Sequence, residues 1–78
     1  MGINYHKELK NSIIELEIAK LSVIYTRLTI MLDRVFIAAE TKGWDICQHQ
    51  FDWLLAKRTQ IHNKQMELLK QKIKPWED

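Results

Sequence analysis

The chain has 78 residues and a formal net charge of +2 at pH 7, and 46% of its residues are hydrophobic against 28% charged. A chain this short rarely closes a self-sufficient core without disulfides, a metal or association. Its one cysteine excludes an internal disulfide and its three histidines fit no zinc-ligand spacing, so we expect no metal, no cofactor and a dependence on association.

The same totals restrict the fold class. Two glycines and one proline are too few for sandwiches, barrels and other turn-rich folds. The longest apolar run, Val35 to Ala39, is far shorter than the roughly 20 residues that a membrane span needs, and the N-terminus lacks the apolar segment of a signal peptide. We therefore expect an all-α, cytoplasmic protein that does not enter membranes.

The first helix has two candidate starts. Asn4 can cap a helix that runs without interruption to about Lys42. Ser12 with Glu15 forms a capping box that would give a shorter helix, matched in length to its partner. We favour the continuous helix, with residues 4–11 as an overhang.

The turn is the only strong break in the sequence. Gly43 can take the left-handed conformation that ends a helix, and Trp44 can pack back on the preceding alanines. Asp45 with Gln48 predicts a capping box that starts the second helix at residue 46. Pro75 ends that helix near residue 74 and leaves a tail at 75–78. The chain thus reads as one domain, an antiparallel two-helix hairpin with its turn at 43–45.

A coiled-coil-like seam supports the hairpin independently. The first helix has residues alternately four and three apart, the spacing of a helix-pair seam: Ile14, Ile18, Leu21, Tyr25, Leu28, Leu32, Val35 and Ala39. The second helix has a comparable apolar stripe: Phe51, Leu54, Leu55, Ile61, Met66, Leu69 and Ile73. The polar residues Arg58, His62 and Gln65 interrupt this stripe. Folding at the turn pairs these residues as Ile14–Ile73, Ile18–Leu69, Leu21–Met66, Leu32–Leu55 and Val35–Phe51. It also sets Tyr25 opposite His62, where we expect a hydrogen bond that fixes the register.

The first helix carries more apolar surface than one neighbour covers. Four large aliphatic side chains, seven residues apart, lie away from the seam: Leu16, Val23, Ile30 and Ile37. Ile24 and Met31 flank them. Trp53 also lies off the seam, and tryptophan is enriched at interface hot spots. We expect these residues to form an interface, either between two hairpins that make a homodimeric four-helix bundle or with a foreign protein. We expect Cys47 to be a small buried residue beneath the turn.

Charge is divided between the two halves. Residues 1–40 carry five basic and five acidic side chains, whereas residues 53–74 carry six basic side chains against Glu67: Lys57, Arg58, Lys64, Lys70, Lys72 and Lys74. A basic helix can follow phosphates, so a small dimeric RNA- or DNA-binding regulator is an alternative. The lysines near the end of the helix also stabilise its negative dipole end.

The segment from Met31 through Gly43-Trp44-Asp45 resembles the helical-hairpin export chaperones of flagellar and type III secretion systems. Those proteins also place a Trp-Asp pair after a short turn, although the basic residue of their next helix is displaced by about a turn here. The resemblance implies a chaperone-like adaptor that covers an apolar segment of its client. A small regulator that inhibits a host protein fits the same residues, and so does a structural assembly subunit; no residue set suggests an enzyme.

Overall fold

A computed structural model describes residues 5–72 of the chain. It contains helix α1, Tyr5–Lys42, and helix α2, Trp44–Gln71, joined by Gly43 and packed against each other. The long first helix predicted from the sequence is therefore present, and Ser12 lies within α1 and does not start it. The predicted cap at Asn4 and the end of the chain from Ile73 onward, including Pro75 and Trp76, lie outside the described residues.

Hydroxyl side chains inside α1 are satisfied by the helix itself. Ser22, Thr26 and Thr29 each donate a hydrogen bond to the carbonyl oxygen four residues earlier, at 2.9–3.0 Å. Residues that often compete with helical backbone bonds are thereby accommodated. This local arrangement explains why α1 continues through a stretch rich in serine and threonine.

Gly43 makes the turn alone. Its φ of 101° is a conformation that favours glycine, and its backbone N–H donates to the carbonyl oxygen of Ala39 at 2.8 Å. Trp44 packs edge-on between Phe36 and Phe51, with ring centroids 5.5 and 5.2 Å apart. These ring contacts join the end of α1 to the start of α2.

The predicted capping box at the start of α2 is wrong. The helix begins at Trp44, earlier than expected, and its cap is Gly43, which offers no side-chain hydrogen bond. Gln48 instead donates to Asp52 one turn further along, at 2.8 Å. Because the ring cluster already fixes how the chain enters α2, Asp45 is absorbed into the first turn, where its charge suits the positive helix end.

The seam of α1 follows the predicted spacing, whereas on α2 Phe51, Leu54 and Ile61 are buried or half-buried as predicted and other predicted residues are exposed. Every predicted α1 seam residue is buried or half-buried. On α2, Leu54 is 2% exposed whereas Leu55, predicted opposite Leu32, is 38% exposed. Met66 and Leu69 are likewise exposed and do not belong to the seam. The residues of α2 that the structure buries or half-buries are again alternately three and four apart: Trp44, Cys47, Phe51, Leu54, Arg58, Ile61, Gln65 and Leu68.

Two polar residues hold places in the α2 seam because α1 offers them partners. The Arg58 guanidinium lies 5.4 Å from the centre of the Tyr25 ring and donates to the Thr29 hydroxyl at 3.3 Å. The Gln65 amide donates to the Ser22 hydroxyl at 2.8 Å and to the carbonyl oxygen of Ile18 at 3.2 Å. Partnered polar groups can be buried at little cost, and these contacts fix the register.

The predicted neighbours Tyr25 and His62 are in contact, but through their rings and not through a hydrogen bond. Their centroids are 6.3 Å apart at an angle of 51°, and among the described residues neither side chain forms a hydrogen bond. His62 is exposed, since Arg58 occupies the inner position against the Tyr25 ring. The predicted hydrogen bond is therefore wrong.

The hairpin is a rod. Its principal extents are 62 × 15 × 14 Å and its radius of gyration is 18.2 Å. A compact domain of this length has a radius of gyration of about 11–12 Å. Each helix therefore has one neighbour and leaves most of its circumference uncovered.

Adjacent leucines test the α2 register. Leu54→Ala should lower the free energy of unfolding by about 2–4 kcal/mol, because it leaves a cavity in the seam. Leu55→Ala, one residue away, should cost less than about 1.5 kcal/mol because that side chain is already partly in water. Urea unfolding followed by circular dichroism measures both, and equal losses would contradict the register.

The conformation of Gly43 gives a second test. A Cβ at this position would meet the Asp45 carboxylate at an ordinary 3.8 Å, so the cost of Gly43→Ala is the positive φ itself. We expect a loss of about 1–2 kcal/mol in thermal or urea unfolding. Lys42→Ala is the control on the preceding, exposed residue and should change stability by less than about 1 kcal/mol.

Candidate interaction surfaces

The back of α1, opposite the seam, is an apolar edge. Leu16, Val23, Ile30 and Ile37 lie seven residues apart along it and are between 46% and 65% exposed. Leu9 extends the same line by one more heptad and is also half-exposed. Sequence reasoning missed Leu9, although its spacing from Leu16 signals it. The structure thus offers an uncovered apolar line along almost the whole of α1.

The other predicted interface residues lie on a different side of the rod. Ile24 and Met31 are each about two-fifths to one-half exposed, but helical spacing turns them toward the broad side that α1 shares with α2. Trp53 is 54% exposed and projects from α2 on that same broad side, with the Lys57 ammonium 5.5 Å from its ring centre. The predicted set is therefore divided between the apolar edge and one face.

That broad side, here called the basic face, collects positive charge from both helices. Among the described residues it carries two acidic side chains, Glu17 and Glu67. Its six basic side chains are all exposed: Lys10, Lys20, Arg27, Arg34, Lys57 and Lys64. Lys20 and Glu17 form an exposed ion pair at 3.6 Å. Half-exposed Ile24, Met31 and Trp53 lie among the charges.

The opposite broad side, the acidic face, carries six exposed carboxylates: Glu8, Glu15, Asp33, Glu40, Asp45 and Asp52. Among residues 5–72, Lys72 reaches this face through an ion pair with Glu15, and the half-buried Arg58 reaches it from the seam through Thr29. Contacts from Thr29 and Ser22 to the α2 seam place the α1 half of this face beside His62 and Thr59 of α2. Large apolar side chains are half-exposed here too: Phe36, Leu55, Met66 and Leu69. This division of charge over two faces was not predicted.

The basic residues proposed from the sequence as nucleic-acid contacts are dispersed. Lys57 and Lys64 belong to the basic face, but Arg58 is turned into the seam. Lys72 pairs with Glu15 at 2.6 Å, and Lys70 lies on the outer edge of α2. Lys74 lies outside the described residues. The positive surface that the structure does assemble draws half of its charge from the middle of α1.

The hollows found among residues 5–72 are shallow or small, and the one of about 390 Å³ lined by Ser22, Val23, Thr26 and Arg27 is open to solvent. Cys47 is buried beneath the turn, as expected, at 6% exposure. A cleft of about 160 Å³ beside Tyr25 and His62 is smaller than the ligand pockets of roughly 300–1,000 Å³ that bind small molecules. Within residues 5–72 no three His, Cys, Asp or Glu side chains are grouped to hold a metal, and neither helix there could cross a membrane.

Comparison of the chain with protein-family models, with curated proteins and with solved structures finds no match.

Proposed function

We propose that this chain acts by protein–protein contact, as a small non-enzymatic regulator, inhibitor or chaperone-like adaptor that binds through the apolar edge of α1. The observation that supports this is the unbroken line of half-exposed aliphatic side chains from Leu9 to Ile37. Continuous apolar patches of this kind on small proteins mark binding surfaces. Burying each side chain fully would contribute up to roughly 1.5–3 kcal/mol, less the part already covered.

The accessible surface supports a partner of protein size. The chain exposes 6414 Å², whereas a compact monomer of its mass would expose about 5,000 Å². The excess exceeds the roughly 800 Å² that each partner contributes to a standard interface. A rod of two helices therefore exposes enough surface to bury one side against a partner.

The first occupant that we propose for the apolar edge is a second copy, giving a homodimeric four-helix bundle. Two equivalent edges of matching length and chemistry satisfy the requirement of a twofold interface. A regulator or adaptor would release the second copy and bind in its place a foreign helix that has an apolar stripe. The proposal places this activity in the cytoplasm, where the unpaired Cys47 thiol stays reduced.

Paired charge insertions on the two outer edges test the proposal. Val23→Asp with Ile30→Asp should make the chain monomeric in sedimentation velocity, because two carboxylates cannot be desolvated in an apolar interface. Ala56→Asp with Asn63→Asp is the matched control, since it adds the same charges at the same spacing on the polar outer edge of α2. The control should associate like the unmodified chain.

Unchanged association of the Val23→Asp, Ile30→Asp variant would contradict the proposal. Affinity capture from the native host then separates the forms of the proposal. A structural assembly subunit should bring down only itself, whereas a regulator or adaptor should bring down a protein that the edge variant does not.

A second candidate, a small dimeric RNA- or DNA-binding regulator, is favoured by one observation. Lys57 and Lys64 of α2 share a face with Lys20, Arg27 and Arg34 of α1, so five cations are available to phosphates on one side.

Binding to short RNA and DNA duplexes tests this candidate. We expect affinity to fall steeply as salt rises, because each phosphate contact releases a counterion. Replacing Lys57 and Lys64 by Gln should flatten that dependence, whereas Lys42→Gln, off the face, is the control. No measurable binding at low salt would exclude the candidate.

A further inference from the structure

The two broad faces of the rod carry opposite charge and cannot neutralise each other. The rod is 14–15 Å thick, which exceeds the Debye length of about 8 Å at physiological ionic strength. Within the described chain, Asp33, Glu40 and Asp52 form no ion pair, and Arg27 and Arg34 form none either. Each face is therefore left with its own unbalanced charge.

Each face also has an apolar centre. Ile24, Met31 and Trp53 are half-exposed on the basic face. Half-exposed apolar side chains on the acidic face are Phe36, Leu55, Met66 and Leu69. Apolar side chains ringed by exposed charges are the anatomy of a protein–protein interface with a polar rim. Both faces thus have an apolar centre with a charged rim, and the charges of the two rims are of opposite sign.

We propose that the acidic face of one copy docks on the basic face of another, so that the chain stacks with itself face to back. Like faces would bring six carboxylates against six carboxylates, or cations against cations, and would repel. Opposite faces bring Arg27 and Arg34 within reach of Asp33 and Glu40 of the next copy and cover both apolar centres. Such a contact uses two different surfaces and leaves a free face at each end, so stacking is open-ended.

The dimensions set the strength of this contact. A face about 15 Å wide along the 28 residues of α2, about 42 Å at 1.5 Å per residue, covers roughly 600 Å². This is below the roughly 800 Å² per partner of a standard interface. The contact is therefore weak for a single pair, and its charges make it sensitive to salt. It does not rest on the apolar edge, which lies between the two faces.

Charge reversals on each face test the stacking. Arg27→Glu with Arg34→Glu removes the net positive charge of the basic face, because four basic side chains then stand against four acidic ones, and leaves the acidic face unchanged. Asp33→Lys with Glu40→Lys leaves four carboxylates against two lysines on the acidic face and keeps the basic face unchanged. These four side chains are exposed and bond to no other described residue, so the helices should be unaffected, as circular dichroism can verify. Arg27→Lys with Arg34→Lys is the matched control that keeps the charge.

All chains, freed of nucleic acid, are placed in the Val23→Asp, Ile30→Asp background so that the apolar edge contributes no association. In light scattering at about 0.02 M salt the background chain and the Lys control should have average masses that rise with concentration above the 9.4 kDa of one chain, and about 0.5 M salt should remove the rise. Each reversal alone should stay near 9.4 kDa. An equimolar mixture of the two should regain association.

Two results would overturn the stacking. One is association of either reversal alone at the level of the background chain. The other is a mixture that stays monomeric. The first result has a specific form that would assign the basic face to nucleic acid. In that form the Asp33→Lys, Glu40→Lys variant associates normally, the Arg27→Glu, Arg34→Glu variant does not, and added RNA or DNA binds the basic face. Failure of the apolar-edge proposal is read separately, from the edge variant and its α2 control.

Discussion

Every surface of this molecule follows from one constraint, the seam between two helices that a single glycine joins. Gly43 allows no slack, because α1 ends at Lys42 and α2 begins at Trp44. The Trp44 ring cluster fixes one end of the seam, and Arg58 and Gln65 fix its middle through specific partners on α1. With the register set, every other residue of the two amphipathic repeats is assigned to an edge or a face.

The consequence is a rod with four chemically different sides. The outer edge of α1 is apolar and that of α2 is polar, while the two broad faces are basic and acidic. A hairpin alone leaves the apolar edge and both apolar centres in water, which is unfavourable for a chain this small. The two contacts that we propose answer this in independent ways, by burial at the edge and by charge pairing at the faces.

The sequence was sufficient for the hairpin, the turn at Gly43 and the α1 seam, because a strict four-three repeat and one glycine are local signals. On α2 it placed Phe51, Leu54 and Ile61 correctly but added Leu55, Met66 and Leu69, since ranking positions by hydrophobicity favours exposed leucines and methionines over Arg58 and Gln65, which it treated as interruptions. Only the geometry shows that Thr29, Ser22 and Tyr25 offer those polar groups partners. The segregation of charge was hidden for the same reason: charges of one sign are scattered along the chain and meet only once the register places α1 beside α2.

We propose that this hairpin is completed by association, and the dependence of its stability on chain concentration tests this most directly. We would record thermal unfolding of the unmodified chain by circular dichroism over about a hundredfold range of chain concentration. Association of folded chains stabilises them by mass action, so we expect a Tm that rises steadily with concentration. A Tm that stays constant over that range would show a self-sufficient monomer and would rule out completion by a second copy.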